Sequence, residues 1–167
     1  MPATTETVWR EIDDNIFGVL AFVNKAGEPR SAGIVYAVDD RSLLISSARD
    51  SWKNRHITRH PKVSMTVTIP KRVPFLPFIK VPAATVTFHG DAEILEVDEL
   101  SPEATRRLFK SSRLREHEVD TVQVIRVVPR GEFLTYGIAM PITQMADHGR
   151  AVARIPCGTD SKPTLAV

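Results

Sequence analysis

Hydroxyls and cations are crowded into one short run of this chain, residues 46–62, SSARDSWKNRHITRHPK. The hydroxyl pair Ser46 and Ser47 is followed by Arg49, Ser51, Lys53 and Arg55, with Trp52 set among them. Hydroxyls donate to phosphate oxygens and cations offset their charge, so the set suits a phosphate monoester. Asp50 or Ser51 can cap a helix that must stop before Pro61, whose ring disfavours helix at His60. The polar group would then stand at a helix start, where unpaired N–H groups and the positive end of the helix dipole favour an anion. A capped surface helix with solvated charges reads from the same letters, and spacing alone leaves both open.

The elements that must hold this run are mostly strands. Leu43, Leu44 and Ile45 lead into the serines, and Val63, Met65 and Val67 alternate after Pro61, giving strand, loop, helix, strand. Upstream, Val8, Trp9 and Ile12 stand at helical spacing, predicting a first amphipathic helix. An apolar run at 16–24 closes on Lys25-Ala26-Gly27-Glu28, a hairpin signal, with a return strand at 29–38. Downstream, 83–97 alternates as a long strand with His89 on its polar face, and Ser101-Pro102-Glu103 opens a second helix. A strand at 121–128, a turn at Pro129-Arg130-Gly131-Glu132 and a closing strand at 133–136 complete the pattern. The fold class expected is mainly β: a six- to seven-stranded antiparallel split β-barrel with peripheral helices. It occupies residues 1–145, with 146–167 a partly flexible extension. The proline-rich loop at 70–82 is too apolar to stand in water and is expected to pack on the barrel, a partner subunit or a ligand.

Composition bounds the rest. At 167 residues, 43% hydrophobic and 25% charged, the chain is one ordinary globular domain. A net charge of +2 with dispersed basic residues gives no nucleic-acid or membrane-binding tail. A nucleic-acid barrel built on Lys53, Arg55, Arg59, Lys62, Lys71 and Arg72 would need interleaved stacking rings, and Trp52 alone qualifies. The single cysteine, Cys157, excludes an internal disulfide, and the expected location is cytoplasmic. His56 and His60 are four apart but lack a third ligand, so no metal site is assigned. Glycine-rich phosphate loops, a nucleophile elbow and paired cysteines are missing, and no catalytic residue is assigned.

The same run resembles the flavin-binding split-barrel proteins related to pyridoxamine 5'-phosphate oxidase. That family carries a Thr, three residues, Ser-Arg-Lys, a helix, and an Asn-Pro-x-Val-Ser strand opening. Here the matching text is Ser47, Ala48-Arg49-Asp50, Ser51-Trp52-Lys53, then His60-Pro61-Lys62-Val63-Ser64. Gly27-Glu28-Pro29-Arg30 and Phe88-His89-Gly90-Asp91-Ala92 are similar to the family's hairpin and its Gly-x-Ala strand. The resemblance implies a homodimer with flavin mononucleotide (FMN) in clefts at the subunit interface, acting as an oxidoreductase on a small molecule. It further implies that Ser47, Ser51 and Lys53 bind the phosphate, that Ser46 belongs to the cofactor site, and that Arg30 lies near the phosphate or ring edge. The backbone of Ser31, Ala32, Gly33 and on to Val35 would line the isoalloxazine. Trp52 stands where the family has arginine; it offers a ring to stack, while Arg49 or Arg55 would supply the charge. The family's C-terminal arginine and histidine pattern for pyridoxal phosphate is missing from 150–167, which argues against pyridoxamine phosphate as the substrate. The deazaflavin F420, used by related barrels, is the alternative cofactor, and a non-catalytic flavin or haem carrier is the alternative role.

Overall fold

The structure is a computed structural model that describes residues 3–71, 81–113, 115–145 and 147–158. Most of the 70–82 loop and the last residues of the tail lie outside these. Helix α1 (Thr5–Asp13) forms where its apolar spacing predicts, capped by Thr4 and burying Val8, Trp9 and Ile12. Strands β1 (Phe17–Val23) and β2 (Pro29–Val35) make the first hairpin. Gly27 takes the positive φ of 78° that its turn requires. The expected return strand then breaks at Tyr36 into a separate short strand, β3 (Ala37–Asp39), which pairs with β4 (Ser42–Ala48).

Helix α2 (Trp52–Arg59) follows β4, then β5 (Lys62–Ile69), β6 (Ala84–Leu95), α3 (Pro102–Ser112) and β7 (Val122–Tyr136). A last turn, α4 (His148–Ala151), leads into β8 (Val152–Pro156). The strands form one eight-stranded antiparallel sheet in the order β2-β1-β5-β6-β7-β4-β3, with β8 on β7. The sheet curls until β2 comes alongside β4, giving the split barrel. Inward positions alternate strictly on β5 and β6, where Val63, Met65, Val67, Val86 and Phe88 join Leu20 and Ile125 in the main core. α3 covers the outside of β4, burying Leu44 against Leu108, so β4 is buried on both faces.

One expected turn does not form. Residues Pro129 to Glu132 lie inside the 15-residue β7, and the sheet absorbs them as a bulge opposite β6, where the register jumps between Thr87 and His89. Gly131, at φ 68°, takes the left-handed conformation that a bulge accepts as readily as a turn, so the letters are the same for both. The region after Pro141 also gains order: β8 pairs Val152–Pro156 with Tyr136 to Glu132. Its exposed, weakly alternating residues carry no readable strand pattern. No helix among the described residues is long and apolar enough to cross a membrane.

Candidate functional site

The end of β4 sets the site. Leu43 and Ile45 point into the barrel core, and Ser47, two residues on, continues that face at the barrel mouth. It is 4% exposed, and its hydroxyl has no hydrogen-bond partner among the described residues. A buried hydroxyl in that condition costs stability unless something else meets it. Ser46 is half-buried on the opposite face. The chain turns through Ala48, whose carbonyl accepts from the Ser51 N–H at 2.9 Å. Ser51 then caps α2, its Oγ accepting from the Lys53 N–H at 3.2 Å. Of the two caps the sequence offers, Asp50 and Ser51, the structure uses Ser51, so that one short turn separates Ser47 at the end of β4 from the start of α2.

The cations there are not equivalent. Arg49 is clamped: its Nη1 and Nη2 donate to Glu96 at 2.8 and 2.6 Å, and its Nε donates to the Asp120 carbonyl at 3.2 Å. This fork, with a further bond from the Gln123 amide at 2.7 Å, holds the Glu96 carboxyl down at about 2 and raises Arg49. Arg55 is exposed and donates to the Asp50 carbonyl at 3.3 Å. Lys53 is half-buried and has no ion-pair partner among the described residues. Of the cations expected near the phosphate, Lys53 and Arg55 are thus without an ion-pair partner among the described residues, and Lys53 is the half-buried one.

Trp52 is 43% exposed, but its ring is not free-standing: its centroid is 5.3 Å from Phe22 and 5.9 Å from His56. It closes the barrel mouth and leaves one side open. His56 packs on these rings, not against His60, and no cluster of metal-ligating residues occurs among the described residues. Along β2, Ser31 and Gly33 face outward and are exposed, while Ala32 turns inward opposite Leu20. Gly33 lies against the Phe17 ring, which a Cβ would meet at 3.2 Å, so the outer surface is flat here. β2 ends the hydrogen-bonded order, leaving alternate backbone groups of residues 30–35 without a strand partner. Arg30 is exposed and pairs with Glu28 at 2.9 Å.

Residues that spacing does not reveal hold this corner in place. Asn54, 4% exposed on α2, donates to the Ala48 carbonyl at 3.3 Å and to Gln123 at 3.2 Å, and Gln123 reaches Glu96. The relay ties α2, β4, β7 and the end of β6 together. Gln123 is placed by being the register partner of Ser47, a pairing between residues 76 apart in sequence that no local pattern carries.

Residues 4–135 match the sequence profile of a family described as pyridoxamine 5'-phosphate oxidase. No curated protein matches the sequence. Among solved structures, the fold is similar to a haem-binding protein from Mycobacterium smegmatis, with TM-score 0.67 and 19% identity over 84% of this chain. The match spans 57% of that protein's length. It is similar as well to an F420 reductase, with TM-score 0.54 and 22% identity, covering 80% of this chain and 98% of that one. A FAD-binding protein from Mesorhizobium loti aligns with TM-score 0.55 and 20% identity, covering 76% of this chain and 88% of that one.

Proposed function

Because this chain belongs to the pyridoxamine 5'-phosphate oxidase family, we propose that it binds FMN through the Ser47–Ser51–Lys53 corner and works as an oxidoreductase on a small molecule. The observation that carries this reading is the buried, partnerless hydroxyl of Ser47 at the end of β4, one short turn before α2, on which Lys53 has no ion-pair partner among the described residues. A phosphate monoester supplies oxygens to accept from Ser47, from Lys53 and from the first N–H groups of α2, and it satisfies what the folded chain leaves unmet. None of these donors takes part in the Arg49–Glu96 clamp.

The remaining parts have separate tasks. The outward face of Ser31 to Val35 presents backbone and small side chains on which a flat ring can lie. Trp52 with Phe22 excludes water from the barrel mouth. Bound FMN would supply the electron transfer, and the protein would bind it, orient it and shape the field around it. Phe17 and Val35, partners across the β1–β2 hairpin and 49% and 37% exposed, border the same outer face. A second copy of the chain laid there would cover them and close the ring site, giving a homodimer with cofactor at the interface.

The test is a parallel titration of the apo-protein with FMN, riboflavin, F420 and haem, followed by fluorescence or absorbance, with mass measured by light scattering. Tight binding of FMN over riboflavin in a dimer supports the phosphate corner. Preference for F420 or haem would replace the cofactor, and binding of none of the four would refute the oxidoreductase reading.

A further inference from the structure

A cleft of about 610 Å3 opens between the C-terminal end of α1, β3 and α3, within the ~300–1,000 Å3 of sites that hold small molecules. Its walls differ in chemistry. Ile16, Tyr36, Ala37 and Val38 make one wall mostly apolar, and α3 presents a basic one. The Tyr36 hydroxyl is already engaged, donating to the Ile12 carbonyl at 2.7 Å, so this residue adds a ring and no free donor.

The acids in the cleft are engaged too. Glu103 is shared between Arg106 and Arg107, and Asp13 lies 3.6 Å from Arg107, which also donates to the Val38 carbonyl at 3.3 Å. Lys110 and Arg113 line the same cleft and have no ion-pair partner among the described residues. Arg113 ends α3 at φ 54° and ψ 28°, the left-handed conformation in which a helix end favours glycine. An arginine therefore stands there against the backbone's preference. Interaction with the negative end of the helix dipole accounts for cations at this point, but not for the apolar wall that faces them.

We propose that this cleft binds a small organic acid with a flat apolar body, its carboxylate held by Lys110 and Arg113 and its body against Ile16 and Val38. Unpaired cations supply the charge-assisted bonds, and the opposite wall supplies a surface that a hydrated inorganic anion would not use. None of residues 46–53 lines the cleft, so the acid binds whether or not a flavin does.

Benzoate and benzamide share a ring and differ in charge. Each is titrated calorimetrically into the full chain and into its Lys53→Ala, Lys110→Gln and Arg113→Gly variants. Benzoate is expected to bind the parent and Lys53→Ala alike and to outbind benzamide, with Lys110→Gln and Arg113→Gly each weakening it about ten-fold, the loss of one charge-assisted contact. Arg113→Gly relieves the left-handed backbone, so its melting temperature should hold or rise, which separates lost binding from lost folding. Absence of benzoate binding, equal binding of benzamide, unchanged affinity in both α3 variants, or a loss found with Lys53→Ala would each overturn the assignment.

Discussion

Ser47→Ala should push stability and cofactor affinity in opposite directions. In the folded chain the Ser47 hydroxyl is buried, 4% exposed, and unmet. A buried polar group left in that state costs ~1–3 kcal/mol. Alanine keeps the Cβ and deletes the oxygen, opening a void smaller than a methyl group. Taking the lower end of that range, about 1 kcal/mol, the apo-protein should melt ~2–4 °C higher, the shift for a domain of 150–250 residues. The bound state reverses the sign. A hydrogen bond to a charged phosphate is worth ~1.5–3 kcal/mol, so FMN should bind roughly 10- to 150-fold more weakly. Riboflavin, which lacks the phosphate, should lose little. Differential scanning fluorimetry of the apo-protein and fluorescence titration with both flavins read the two effects separately. A lower melting temperature for the apo variant would show that the hydroxyl is satisfied within the chain. Equal weakening of FMN and riboflavin would show that it does not meet the phosphate.

Lys53→Ala should weaken binding of FMN but not riboflavin, by about 1–3 kcal/mol in the same titration. Gly90→Ala should destabilise the barrel: an added Cβ would lie 2.5 Å from the Val128 carbonyl oxygen across the β6–β7 ladder. Overpacking of this kind costs ~1–3 kcal/mol, read as a lower urea midpoint. Glu96→Gln should lower the melting temperature at neutral pH by releasing the Arg49 clamp. The folded Glu96 carboxyl lies at about 2 against an ordinary 4.5, so its contribution is complete above pH 4.5 and disappears as pH falls toward about 2. The gap between parent and variant melting temperatures should close across that window; a gap independent of pH would refute the role of the ion pair.

Local chemistry made much of the fold legible. The Ser51 and Ser101 caps, the buried face of α1 and the alternation along β6 each depend on residues within a few positions of one another, and each forms as its letters predict. What stayed hidden depends on partners far away in sequence. The letters Pro-Arg-Gly-Glu fit a turn, and only the neighbouring β6 makes them a bulge. β8 has few buried residues of its own and is a strand because β7 offers an edge. The candidate site divides in the same way. The place of Ser47, Ser51 and Lys53 around the start of α2 was legible, whereas the commitment of Arg49 to Glu96 requires a carboxylate 47 residues away. The relay through Asn54 and Gln123 was invisible for the same reason.

The seam between the first helix and the last strand bears on the order in which the molecule can assemble. The Trp9 indole donates to the Cys157 carbonyl at 2.9 Å, and the Thr5 hydroxyl donates to the Pro156 carbonyl at 2.9 Å. Trp9 also meets Phe133 edge-on, with centroids 5.4 Å apart. The helix leaves the ribosome well before β8, so the bonds from Trp9 and Thr5 form only after residues 156 and 157 have emerged, whereas Phe133 on β7 is there to meet the Trp9 ring earlier. A nascent chain stalled before residue 152 would lack these two backbone anchors, and the docking of β8 on β7 would be the event that fastens the first helix to the far end of the sheet.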